Sequence, residues 1–174
     1  MRVVTGLVLL AVATALPVSP AGAQGKAMHP TAVITMEKGG EIRIELFPED
    51  APKTVESFVT LSKKGFYNGL TFHRVVPGFV AQGGDPKGDG TGGPGYQLKA
   101  EFNQRKHTRG TLAMARSQHP DSAGSQFYIC FAPASHLDGQ YTVFGQVVKG
   151  MEVVDQIKVG DKMKTVRIEE PAKP

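Results

Sequence analysis

Arg74 and Gln82 are the residues best equipped for chemistry, because they set a fixed cation and an amide among the apolar side chains of Phe72, Val75, Val76, Phe79 and Val80. A guanidinium stays protonated and carries its donors in a rigid fork, so it is costly among Phe and Val unless an acceptor arrives to use it. The run from Phe72 to Asp85 therefore reads as a site shaped for a ligand that offers a hydrogen-bond acceptor. Strict alternation along one strand would put Phe79 and Gln82 on opposite faces. Both reach one site only if the chain bends near Pro77 and Gly78 or at a sheet edge.

Other chemistries find little support. His29, His73, His107, His119 and His136 follow no metal-binding spacing, so no metal is expected. His73 adjoins Arg74 and should point to the opposite strand face as a hydrogen-bonded structural residue, since no partnered nucleophile accompanies it. Ser125 does not sit in a G-x-S-x-G elbow. Residues 88–93 satisfy G-x-G-x-x-G, yet Pro94 and Gly95 follow where a dinucleotide motif would begin a helix, and no acid lies between Glu101 and Asp121 to hold a ribose. No cofactor is expected. Cys130 is the single cysteine, which excludes an internal disulfide, and its apolar neighbours predict a small buried hydrophobe rather than a reactive thiol. The net charge of +4 comes from basic residues scattered among acids, without the stripe and interleaved aromatics that nucleic acid would need.

The elements that must position these residues are mostly short strands. Residues 31–36 and 41–46 are strand-like, with a hairpin turn over 37–40. Asp50 is the expected N-cap of a first helix carrying Val55, Phe58 and Val59 at helical spacing, and Gly65 is its stop. Further strands are predicted at 71–76, 79–83, 111–115, 126–131, 142–148 and 165–169, with a short second helix marked by Met151, Val154 and Ile157. This pattern predicts a mainly β domain and leaves barrel and sandwich open. Glycine and proline cluster in loops without a period, so no repeat is expected.

The N-terminal stretch reads as an export signal. Arg2 supplies the charge, residues 3–16 are nearly all apolar, Pro17 and Pro20 end the run, and Ala21, Gly22 and Ala23 suit a signal peptidase. A membrane span needs roughly 20 apolar residues, and this run is shorter and broken by proline. The expected organisation is a signal peptide at 1–23, a short segment at 24–30, one domain at 31–170 and a tail at 171–174. Cleavage near Ala23 would place the chain in the periplasm or outside the cell.

The run 72–85, with Tyr67 and Leu70 upstream, resembles the signature of the cyclophilins, which are peptidyl-prolyl cis/trans isomerases. The resemblance covers about residues 31–170. It implies a closed eight-stranded antiparallel barrel capped by two α-helices, and acceleration of X-Pro rotation in exported polypeptides to assist their folding. That reaction makes and breaks no covalent bond, so it requires neither nucleophile nor metal. Proline-containing peptides and unfolded client proteins are the implied partners, with no membrane contact after signal cleavage, and a monomer is expected. Residue by residue, the resemblance assigns catalysis to Arg74, Phe79 and Gln82. It assigns substrate binding to Val80, Gly90, Met114, Ala115, Arg116, Gln126, Tyr128, His136, Leu137 and Tyr141.

Several positions depart from the family pattern. Arg116 replaces an Asn common in eukaryotic members, and Tyr128 replaces the Phe that floors the proline pocket. The Tyr128 hydroxyl needs a partner, which implies a slightly more polar or shallower pocket. His136 stands where drug-sensitive members carry Trp, and Tyr141 where they carry His. Weak inhibition by cyclosporin is therefore the expected result of an isomerase assay, and a nanomolar constant would contradict it. The competing class is a proline-peptide binding module or holdase whose turnover is incidental.

Overall fold

Ala32, Ile34 and Met36 of β1 (Thr31–Met36) and Ile42, Ile44 and Leu46 of β2 (Glu41–Leu46) recur at every second residue, and all six are buried. This alternation fixes the register of the first hairpin, with Thr31 opposite Glu45 and Thr35 opposite Glu41. The computed structural model describes residues 29–171. The expected signal peptide, most of the 24–30 segment and most of the tail lie outside the described residues.

Helix α1 (Pro52–Lys63) buries Val55, Phe58 and Leu61 on one face. Asp50 does not cap it; its carboxylate accepts instead from Arg105 Nε at 2.6 Å. The free N–H groups of the first turn are met from far along the chain, where the Glu101 carboxylate accepts from Lys53 N at 3.0 Å and Thr54 N at 2.8 Å. A remote carboxylate serves as well as a local cap, because the helix N-terminus needs acceptors and favours negative charge.

The remaining strands are β3 (Arg74–Val76), β4 (Val80–Gly83), β5 (Thr111–Met114), β6 (Phe127–Cys130), β7 (Val143–Lys149) and β8 (Met163–Glu169), with helix α2 (Met151–Val154) after β7. Short 3-10 turns at Pro120–Ser122 and Ser135–Leu137 are additions to the elements predicted from sequence. All eight strands join one antiparallel sheet in the order β3-β4-β6-β5-β7-β2-β1-β8.

The expected closed barrel is not what forms. The sheet curls into a half-barrel whose edges, β3 and β8, share no ladder. The chain just ahead of them meets in a single bridge between Thr71 and Lys162, supported by Phe72 N donating to Asp161 O at 2.9 Å. Closure would need a longer edge strand, and β3 has only three residues.

Two apolar clusters follow from the alternation. The larger gathers Phe58, Tyr67, Phe72, Phe127 and Phe144, with Phe58 packed 5.0 Å from Tyr67, 5.7 Å from Phe127 and 5.3 Å from Phe144, centroid to centroid. Such aromatic pairs add roughly 0.5–1.5 kcal/mol each beyond area burial. The smaller holds Val80, Ala113, Tyr128, Cys130 and Val143, with Phe79, Ala115, Leu137 and Tyr141 packed against it. Strand β6 serves both, sending Phe127 and Ile129 to one cluster and Tyr128 and Cys130 to the other. Cys130 is fully buried, and burial pushes its thiol up to about 12, so it is no nucleophile at neutral pH.

Candidate active site

The β3–β4 hairpin builds one wall of the site. Its register sets Arg74 opposite Gln82 and Val76 opposite Val80. Gly78 turns the chain with φ +70°, and Phe79 N closes the turn on Val76 O at 3.0 Å. Phe79 thus precedes β4 rather than belonging to it. Alternation does not govern its direction, so Phe79, Val80 and Gln82 all line the same cavity of about 220 Å³. Tyr128, Leu137 and Tyr141 complete the apolar lining, while Arg74, Gln82, Ala115 and Arg116 complete the rest.

A relay of amides orients the polar side. Gln126 Nε2 donates to the carbonyls of Gly90 and Gly92, each at 2.9 Å, which leaves its Oε1 to accept from Gln82 Nε2 at 3.0 Å. The Gln82 oxygen must then face Arg74, whose Nη1 donates to it at 3.4 Å. Arg74 is exposed, makes no ion pair among the described residues, and keeps most of its donors free.

The loop that supplies those carbonyls is wound around Asp85. This buried carboxylate accepts from Lys87 N at 2.8 Å, Asp89 N at 3.1 Å and Gly90 N at 2.5 Å. Burial alone would push its carboxyl up, but the N–H groups of Lys87, Gly90 and Gly92 outweigh that and hold it below its ordinary value. Gly84 admits the loop, since its φ is +84° and a Cβ there would stand 2.4 Å from Ser125 O. The glycine fingerprint of 88–93 is accounted for by this folded loop, which leads into no helix.

Tyr128 finds its partner below the cavity. Its hydroxyl lies 3.0 Å from His107 Nε2, and His107 Nδ1 lies 3.0 Å from Asp138 Oδ1, which also accepts from His107 N at 2.8 Å. Asp138 therefore fixes the proton on Nδ1, and in the neutral ring Nε2 accepts from Tyr128. The His107 side chain is fully buried, so the hydroxyl is drawn into the protein and the pocket meets the ring of Tyr128 rather than a free hydroxyl. Backbone and ring N–H groups of His107 hold the Asp138 carboxyl below its ordinary value. Tyr128→Phe strands the Nε2 acceptor without a donor. Denaturant unfolding should show a loss of about 1–3 kcal/mol, and an unchanged midpoint would refute the hydrogen bond.

The other expected site residues divide. Gly90 and Gln126 line a second cavity of about 420 Å³ that shares Gln82, Ala115 and Arg116 with the first. His136 stacks on Phe79 from outside at 5.5 Å and lines neither cavity. Met114 is not brought to the site: it is 3 % exposed and packs in the larger core, because its neighbours Ala113 and Ala115 take the opposite face of β5. His73 lies off both cavities as expected, but its ring nitrogens are buried without any hydrogen-bond partner, contrary to the structural bond predicted for it. Sequence reasoning missed His107 and Asp138 beneath Tyr128, and Asp85 beneath the loop.

Residues 31–173 match the family model described as cyclophilin type peptidyl-prolyl cis-trans isomerase/CLD. A peptidyl-prolyl cis-trans isomerase of Helicobacter pylori is 52 % identical over 141 residues, covering 78 % of this chain and 86 % of that protein. Peptidyl-prolyl cis-trans isomerase B of Bacillus subtilis is 51 % identical over 141 residues, covering 80 % and 98 %. Among solved structures, a cyclophilin type peptidyl-prolyl cis-trans isomerase of Cryptosporidium parvum superposes with a TM-score of 0.76 at 30 % identity, covering 84 % of this chain and 99 % of that one. A structure of the same parasite enzyme in the presence of the dipeptide Ala-Pro gives 0.71 at 31 % identity, covering 82 % and 99 %. Matched by the family model over residues 31–173 and identical to bacterial relatives at about half of 141 aligned residues, this chain belongs to the cyclophilin-type peptidyl-prolyl cis/trans isomerases, enzymes of class EC 5.2.1.8.

Proposed function

We propose that this isomerase works on exported polypeptides outside the cytoplasm, as a monomer, with Arg74 as the group that favours the twisted X-Pro bond. The planar amide is held by a resonance barrier of about 18–20 kcal/mol. In that state the proline nitrogen shares its lone pair with the carbonyl and accepts hydrogen bonds poorly. Rotation localises the lone pair and makes the nitrogen an acceptor. A preorganised donor satisfied mainly at that point contributes about 3–4 kcal/mol, two to three powers of ten in rate. The apolar wall of Phe79, Val80, Tyr128 and Leu137 helps by disfavouring the charge-separated form that keeps the amide flat.

The observation that carries this reading is Arg74 itself: a guanidinium at the mouth of an apolar cavity, tethered only by Gln82 and lacking a carboxylate partner among the described residues. Gln82 and its amide relay aim it, and Phe79 bounds the ring site. Support for export lies in the signal-like sequence of residues 1–23. Fractionation with mass spectrometry of the N-terminus tests it: a mature chain beginning near Gln24 outside the cytoplasm is the expected result, and a full-length cytoplasmic chain refutes export. Refolding of a client protein limited by X-Pro isomerisation should accelerate with catalytic amounts of the same preparation, and a need for stoichiometric amounts would favour a holdase instead.

A further inference from the structure

Arg43, Arg105, Arg109 and Arg167 each pair with a carboxylate. Arg74 and Arg116 make no such pair among the described residues, and these two are the charged residues that line the two cavities of the cleft. No acidic residue lines either cavity. The cleft therefore presents positive charge that the protein itself leaves uncompensated.

Arg116 is held as well as unpaired. Its Nε and Nη2 donate to Gln140 O at 3.1 and 3.0 Å, and its Nη1 donates to Ser117 O at 2.9 Å and Gln118 O at 3.1 Å. The guanidinium carbon stands 4.5 Å from the centroid of Tyr141. All of these partners are neutral. They fix the position of the group, occupy all but one of its N–H donors and leave its charge intact. The residue stands where the 220 Å³ and 420 Å³ cavities meet, together with Gln82 and Ala115. A peptide with its proline ring in the smaller cavity must pass this ridge to enter the larger one. An extended chain advances about 3.3–3.6 Å per residue, so a side chain within about three positions of the proline comes abreast of Arg116.

We propose that Arg116 is a specificity-determining residue, and that this isomerase favours X-Pro segments with Asp or Glu within about three residues of the proline. The substrate carboxylate takes the remaining Nη2 donor and compensates the charge, a charge-assisted bond in a concave site where the field is focused. A lysine at the same place meets two guanidiniums and is disfavoured. The proposal rests on the isomerase reading of the cleft.

The test is a set of otherwise neutral peptides with one proline, in which Glu, Gln or Lys is scanned through the three residues on either side. At one or more positions Glu should raise kcat/KM over Gln by about fivefold, with Lys below Gln, and the spread should shrink in about 1 M salt. At that position R116E should reverse the order and R116Q should flatten it. Equal rates for Glu, Gln and Lys at every position, with isomerisation present, overturn charge selection and leave the isomerase reading standing. An order unchanged in both R116E and R116Q overturns the role of Arg116. A wild-type protein inactive on every peptide overturns both readings.

Discussion

Arg74→Ala should lower kcat/KM on an X-Pro peptide by about a hundredfold, the usual effect of removing one transition-state donor. Peptide affinity should change by less than about threefold, because the donor is satisfied mainly when the bond is twisted and contributes little to ground-state binding. The apolar wall and Gln82 remain in place to hold the ring and backbone. Arg74→Lys should recover only part of the loss, since an ammonium keeps the charge but not the fork that reaches both Gln82 and a substrate nitrogen. Paired measurement of kcat/KM and of peptide dissociation constants decides the matter. Equal losses in both would assign the pocket to a binding module with incidental turnover.

Asp85→Asn should be the most damaging change to the loop that aims the site. The carboxylate is buried and receives three backbone N–H groups from residues 87–90. An amide in its place turns an NH₂ toward some of those donors, and the expected loss of stability is about 3 kcal/mol. Activity should fall with it, because the carbonyls of Gly90 and Gly92 anchor Gln126, which orients Gln82 and so Arg74. The pH dependence has a definite sign. The folded carboxyl sits below its ordinary value, so the unfolded chain binds the proton more readily. The stability Asp85 supplies is complete above the ordinary Asp range near about pH 4 and is lost as pH falls through the lower folded value. Denaturant unfolding of wild type and variant should therefore differ most near neutral pH and converge in acid. A difference that stays constant with pH would contradict this role for the carboxylate.

The first hairpin is legible in the sequence because β2 alternates buried with more exposed residues. By contrast, β1 also buries Val33 and every residue of β5 and β6 is buried, so those strands are marked by their apolar runs rather than by a period of two. Strand ends are less legible: β3 begins at Arg74 rather than at 71, since Phe72 is turned wholly into the core and Thr71 makes only an isolated bridge. Closure of the barrel depends on pairing between two edges far apart in sequence, which no local pattern encodes. Asp50 looked like an N-cap by proximity, yet Glu101 does that work from a distance no local signal reveals. Arg74 and Gln82 stand out because a cation and an amide are out of place among apolar neighbours, whereas Phe79 is legible only through the resemblance to a known signature. Met114 was misplaced although the alternation of β5 already argued against it: Ala113 and Ala115 cannot share a face with the residue between them. His107 carried no signal of its own, and only the hydroxyl of Tyr128, in need of a partner, hinted that a buried acceptor must exist.

A crystal structure with a bound X-Pro peptide would show whether the Arg74 guanidinium reaches the prolyl amide. The pyrrolidine ring should lie against Phe79, Val80, Tyr128 and Leu137, with the Arg74 guanidinium facing the proline nitrogen and free to close on it as the bond twists. A ring seated in that cavity while Arg74 points away, engaged by some other group, would contradict it.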